Sequence, residues 1–202
     1  MSDSIPFVLA SASPRRTELL QSVGVPHQII VAQVQEFEDP TASPYEMVLH
    51  NARLKAKAVA ELYPTALVLG ADTTVALEHK VLNKPRDLKE SAEMLRELSG
   101  REHTVHTGVC FYGPAYGLDE THDITAWVRF KPLTEAVIQQ YQRLVNTLDK
   151  AGAYGIQEGR DLIIEDYQRP ISTIMGLPVE FVVQRLEQLG LRQRLRSGTF
   201  KT

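Results

Sequence analysis

The segment Leu9-Ala10-Ser11-Ala12-Ser13-Pro14-Arg15-Arg16 sets two arginines where an apolar strand turns into a helix. Ser13 suits the N-cap and Pro14 the first helical position, so Arg15 and Arg16 fall in the first turn. Cations there oppose the helix dipole by roughly 0.3 to 1 kcal/mol each. A phosphate would compensate them, meeting the free N–H groups of the helix end and the guanidinium forks together. Asp72 follows the apolar run from Thr65 to Ala71 and is expected at the C-terminal end of a buried strand, the edge where open α/β sheets place ligands. A carboxylate at that edge can hold a hard divalent cation or orient a water. Lys55 and Lys84 supply further cations, and Glu36, in the acidic stretch 32–39, supplies a second carboxylate. Singly, each has an ordinary reading as a solvated arginine, a turn-capping aspartate or a surface lysine. Together they form the usual kit for a polyphosphate with bound metal.

The elements that must position this kit alternate between helical and strand periods, so the expected class is mixed α/β. Ser43-Pro44-Tyr45-Glu46 has the spacing of a capping box and opens a helix that turns Met47, Val48, Ala52, Ala56 and Val59 to the core while carrying Arg53, Lys55 and Lys57. Residues 74–77 and 80–82 form a hairpin turning at Glu78-His79, followed by Asn83-Lys84-Pro85. A helix starting at Asp87-Leu88-Lys89-Glu90 stops at Ser99-Gly100. Residues 103–112 and 120–130 read as antiparallel strands flanking a Gly-Pro turn. A helix over 134–144, the small-residue segment 149–157, strands around Ile163 and Ile171, the turn Gly176-Leu177-Pro178 and a helix over 179–189 complete the order. Residues 1–191 are expected to form one domain and 192–202 a basic, frayed and solvated tail.

Composition narrows the partners. The 202 residues are 43% hydrophobic and 23% charged, enough for an ordinary buried core. A net charge of −3 gives no overall basic field, so a nucleic-acid polymer is not an expected partner. No signal-peptide pattern opens the chain and no apolar run reaches the length of a membrane span, so no membrane partner is expected and the cytoplasm is the default location. The single cysteine, Cys110, sits in Val109-Cys110-Phe111 and reads as a small buried strand residue without a catalytic role. The chain lacks a Gly-x-x-x-x-Gly-Lys-Ser/Thr loop, a Gly-x-Gly-x-x-Gly turn and a Gly-x-Ser-x-Gly elbow. His103 and His106 fall on opposite faces of a regular strand, which disfavours a zinc centre.

Seven short motifs in register, namely 11–16, 51–56, 70–75, 83–85, 98–100, 151–157 and 176–178, resemble the Maf family of nucleoside triphosphate pyrophosphatases. The resemblance spans nearly the whole chain and points to the dTTP/UTP branch, because Arg15, Thr73 and Gln157 match positions associated there with substrate choice. It implies an elongated α/β fold with a mixed, bent sheet flanked by helices and a cleft between two lobes, related to inosine triphosphate pyrophosphatases. By the same resemblance Asp72 is the proton acceptor, Ser11, Arg15, Arg16, Lys55 and Lys84 line the phosphate path, and Mg²⁺ or Mn²⁺ is the cofactor, held by Asp72 and Glu36. The implied reaction releases a nucleoside monophosphate and pyrophosphate in nucleotide-pool housecleaning, and a homodimer is the family expectation. Alternatives are a pyrophosphatase for 7-methyl-GTP or other modified nucleotides, or a non-enzymatic nucleotide-binding regulator of septum formation. Two departures stand out: Gln35-Glu36 replaces the usual Asp-Glu, and Glu158 follows Gln157 where the family usually has glycine. The Gln157 amide offers a donor and an acceptor, which suits the imide edge of thymine or uracil.

Overall fold

Strand β1 (Ile5–Ala10) is buried along its whole length and lies between parallel neighbours, as its unbroken apolar sequence requires. The computed structural model describes residues 4–39 and 41–197. After β1 come α1 (Pro14–Ser22), β2 (Gln28–Ile29), α2 (Pro44–Leu62), β3 (Leu67–Leu77), β4 (Lys80–Leu82), α3 (Leu88–Leu98), β5 (Glu102–Gly113) and β6 (Leu118–Phe130). The chain continues through α4 (Glu135–Leu144), α5 (Arg160–Ile163), β7 (Ile164–Tyr167), α6 (Ile171–Ile174), α7 (Val179–Gln188) and β8 (Leu195–Arg196). The strands make one mixed sheet of eight in the order β2-β1-β3-β5-β6-β7, with β4 added to β3 and β8 to β1. Pairs of β1 with β2, β3 and β8 are parallel, and those among β3, β4, β5, β6 and β7 are antiparallel.

The expected α/β architecture is present, with several local corrections. The apolar run before Asp72 and the first hairpin strand are one continuous β3, so Asp72 lies mid-strand rather than at a strand end. The segment around Ile171 is a short helix, and the strand expected around Ile163 begins at Ile164, after α5. Ser13 and Ser43 occupy N-cap positions without a side-chain bond, whereas Asp87 accepts from Glu90 N and Thr134 from Val137 N. Of the tail expected to be frayed, residues 192–197 are ordered against the body. Leu195 and Arg196 pair with Ile5 and Pro6, Leu195 is buried, and Arg192 reaches Val23 O and Glu187. Residues 198–202 lie outside the described residues. No helix among the described residues is long and apolar enough to cross a membrane.

β3 contributes to three apolar clusters, one of them through Val68 under α2, and the remaining two meet along its length. Leu67, Leu69 and Ala71 join β1, α1 and α7 in one, and Val75 and Leu77 join α3, α4 and β6 in the other. Between them β3 presents Asp72, Thr73 and Thr74. One edge of the strand is free along this stretch, because pairing with β1 ends at Gly70 and pairing with β4 begins at Val75. This gap opens the cleft, and the strand whose carboxyl end faces it is β1.

Helix α2 covers the sheet at close range because two strand positions lack a side chain. A Cβ on Gly70 would sit 2.1 Å from Ala52 O, and one on Gly108 would sit 2.4 Å from Val48 O. Gly70→Ala therefore forces α2 off β3. The expected cost is about 1 to 3 kcal/mol, read as a lower denaturant midpoint, and it comes with lost activity because α2 carries Asn51 and Lys55.

Candidate active site

The cleft has a volume of about 370 Å³ and is lined by the β1–α1 turn, residues 31–38, the middle of β3, residues 83–84, the loop 149–158 and residues 174–176. It brings together all nine residues singled out in the sequence: Ser11, Arg15, Arg16, Glu36, Lys55, Asp72, Thr73, Lys84 and Gln157. Asp72 and Lys55 are buried, while Lys84 and Gln157 are exposed on the walls.

Alternation along β3 sends Asp72 to the α2 face and Thr73 to the opposite one. On the α2 face, Lys55 Nζ lies 2.7 Å from Asp72 Oδ1 and 2.7 Å from Glu36 Oε2. Asn51 Nδ2 donates to Asp72 Oδ2 at 3.1 Å and to Phe37 O at 2.9 Å, and its Oδ1 accepts from Phe37 N at 2.8 Å. Asn51 thus ties the irregular segment carrying Glu36 to the aspartate. On the other face, Arg16 donates from Nε to Gly176 O at 2.7 Å, from Nη1 to Ser11 Oγ at 3.1 Å and from Nη2 to Thr73 Oγ1 at 3.1 Å. Thr73 Oγ1 also lies 3.1 Å from Thr107 Oγ1, which donates to Thr173 O. Arg16 is therefore a fixed brace between α1, β3 and the turn at Gly176. Arg15 is less constrained, with its nearest carboxylate, Asp149, 3.8 Å away.

Burial pushes the Asp72 carboxyl above the usual range, against Lys55 and Arg16, which favour its ionised form. Glu36 moves the other way: burial works against ionisation, but the hydrogen bond and charge of Lys55 outweigh it and hold the carboxyl low. The neighbouring carboxylates are thus tuned apart, the usual sign of a divided acid–base role. The buried His103 is pushed down to about 3, and its Nε2 lies 2.8 Å from the Tyr154 hydroxyl of the cleft wall. Burial takes the Cys110 thiol up to about 12, an inert group as its sequence context suggested.

Among the described residues no group of three or more His, Cys, Asp and Glu side chains could hold a metal. The donors present nevertheless fit a hard cation that arrives with phosphate. Asp72 and Glu36 already converge on one positive charge, the Lys55 ammonium, and Mg²⁺ characteristically takes one or two carboxylates with substrate oxygens completing its shell.

Sequence reasoning missed Asn51 as a site residue, although helical spacing from Val48 and toward Lys55 puts it on the buried face. It also missed Asp149 and Lys150, whose loop has no periodicity to read, whereas Glu158, noted as a departure after Gln157, does line the cleft.

A mixed α/β sheet with a cation-lined cleft at the carboxyl end of its buried parallel strand, floored by a buried carboxylate, defines a protein built to receive a phosphorylated ligand. The chain belongs to the Maf family, since the model for Maf-like protein matches residues 6–189. It is 44% identical over 187 residues to the dTTP/UTP pyrophosphatase of Akkermansia muciniphila, an alignment covering 93% of this chain and 98% of that one. The dTTP/UTP pyrophosphatase of Symbiobacterium thermophilum is 44% identical, with 91% and 94% covered, and that of Exiguobacterium sibiricum 42%, with 92% and 93% covered.

Proposed function

We infer that the protein hydrolyses dTTP and UTP between the α and β phosphates, releasing the nucleoside monophosphate and pyrophosphate, as the names of its relatives indicate for them. The observation that carries this reading is the buried Asp72, raised toward neutrality and held by Lys55 and Asn51 on the floor of a cleft whose walls bear Arg15, Arg16 and Lys84. A water between Asp72 and the α phosphorus loses its proton to the free carboxylate while its oxygen bonds to phosphorus and the α–β bridging bond breaks. Arg15 and Lys84 neutralise the departing pyrophosphate. Ser11 and Thr73, fixed by Arg16, shape the phosphate path, and Arg16 itself acts mainly as their brace. Lys55 bridges Asp72 and Glu36 and favours the ionised form of each. Asp72 and Glu36 would hold a divalent cation, Mg²⁺ or Mn²⁺, which when bound supplies charge neutralisation and Lewis acidity at the phosphates. A cytoplasmic location and a homodimer belong to the same reading.

The test is incubation with Mg²⁺ or Mn²⁺ and dTTP, UTP, CTP, GTP, 7-methyl-GTP or inosine triphosphate in turn, scoring pyrophosphate and monophosphate. Release chiefly from dTTP and UTP is expected and should stop on chelation. Release chiefly from another base would overturn the substrate class. Binding without release would overturn hydrolysis.

Gln157 lines the cleft and is exposed, and its amide can pair with the imide edge of thymine or uracil. Gln157→Glu removes the donor and keeps the size. The preference for UTP over CTP, read as a ratio of kcat/KM, is expected to fall roughly tenfold, as the loss of one hydrogen bond to the base predicts. The melting temperature should stay put, because Gln157 is exposed.

A further inference from the structure

The loop that presents Gln157 is held in two ways. Tyr141, buried on α4, grips both ends: Gly155 N donates to its hydroxyl at 3.1 Å, and a Cβ on Gly159 would lie 2.9 Å from its ring. Gly159 has a φ of +60°, so the loop leaves through a backbone conformation that favours glycine. The flank is held by charge. Lys150 is buried, and its ammonium lies 2.6 Å from Asn146 O, 2.8 Å from Asp149 Oδ1 and 3.5 Å from Glu158 Oε1. Its stem also fills the space beside Gly155, where a Cβ would come within 2.8 Å of Lys150 Cε. Asp149 in turn faces Arg15 in the first turn of α1.

Arg15, Asp149, Lys150 and Glu158 therefore alternate in sign from the phosphate end of the cleft to the residue beside Gln157. We propose that this ion chain sets the pose of Gln157, making Lys150 and Glu158 positioning residues for base selection. The proposal rests on the nucleotide-binding reading above and deepens it. Lys150 is buried, with its ammonium hydrogen-bonded to Asn146 O and Asp149 Oδ1 and ion-paired with Glu158, so it does not act as a solvated cation. Glu158 forms an ion pair with Lys150, and it directly follows Gln157, whose amide would read the base. Arg15 is shared between Asp149 and the phosphate path, so occupancy at the phosphate end reaches the loop through Asp149 and Lys150.

Binding of the uridine and cytidine α,β-imido triphosphates, measured by calorimetry on the full chain, tests this without requiring turnover. The wild type is expected to favour the uridine compound. Glu158→Gln should cut the ratio of the two dissociation constants about fivefold, the upper end for a partly exposed ion pair, and Glu158→Asp, which keeps the charge, should restore most of it. Lys150→Met should reduce the ratio similarly, with little further loss in the double variant, because both changes break one linkage. Should Lys150→Met fail to fold, the exposed Glu158 variants still decide the matter. A ratio unchanged in Glu158→Gln, or no base preference in the wild type, overturns the proposal. Pyrophosphate release from UTP, assayed in parallel, is a separate readout: its absence beside a preference that Glu158→Gln erases would remove hydrolysis and leave the ion chain standing.

Discussion

Asp72→Asn should lower kcat/KM for UTP about a thousandfold, within the range that a positioned general base contributes. The change keeps the shape and the seat on β3 but removes the ability to accept a proton, together with the negative charge that faces Lys55. In the wild type, the rate should fall as pH drops through the raised value of Asp72, because the protonated carboxyl is no longer a base. The residual activity of the variant should lack that limb. Stability gives an independent check. The folded pKa of Asp72 lies above its unfolded value of about 3.9, so the folded state binds the proton more tightly. That contribution is full below the unfolded value and is lost as pH rises through the folded one. Thermal unfolding of the variant should therefore lose less stability than the wild type over this window. The single amide oxygen of asparagine can serve Lys55 or Asn51 but not both, which limits any absolute gain. Retained hydrolysis in Asp72→Asn would dismiss the catalytic assignment even with the fold intact.

Lys55→Met should be the most damaging change to both fold and activity. Methionine keeps the volume of a side chain seated under α2, but it leaves Asp72 and Glu36 facing the place where one ammonium lay 2.7 Å from each. Removing one partner from a buried ion cluster costs about 3 kcal/mol at neutral pH. Glu36, about a third exposed, contributes less to that penalty than Asp72. Without Lys55 both folded carboxyls hold their protons more tightly than they do in the wild type, so, as for any lost ion pair, the deficit is present at neutral pH and closes as the carboxyls protonate at lower pH. Melts near pH 4.5 and 7.5 should show it. Activity should fall about a hundredfold, with the acid limb moved to higher pH, because the base is then protonated over more of the range.

Much of this arrangement was legible in the chain. The capping pattern at Asp87 marked a helix start that the structure bears out with a side-chain bond, the helix expected over 134–144 spans Glu135–Leu144, and the strands expected over 103–112 and 120–130 pair as β5 and β6. The convergence of Arg15, Arg16, Lys55, Asp72 and Lys84 followed from their neighbours in sequence. Other features depended on partners distant in the chain. Continuity of β3 through Asp72-Thr73-Thr74 is enforced by β5, which pairs with it from Val68 to Ala76, so polar residues that locally suggest a turn remain extended. Ile171 looked like a strand residue from its type, yet the four residues from Ile171 to Ile174 close a short helix that brings Gly176 O to Arg16. Lys55 read as a surface lysine by residue type, although its spacing of three from Ala52 and four from Val59 already placed it on the buried face. Asp149 and Lys150 acquire meaning only when the loop folds back beside α1.

The shared strand has a mechanical consequence. Because β3 belongs to all three apolar clusters and the acid lies where two of them meet, neither half of the molecule can melt without pulling that strand from its partners. The amides around Asp72 that bond to β5 are therefore expected among the slowest to exchange with solvent, whereas those on the open edge between Gly70 and Val75 have no ladder partner. Whatever adjustment a ligand requires must come from the walls that lack a ladder: residues 30–39, tethered chiefly through Asn51, and the loop gripped by Tyr141. The protein is a rigid anvil with two adaptable jaws.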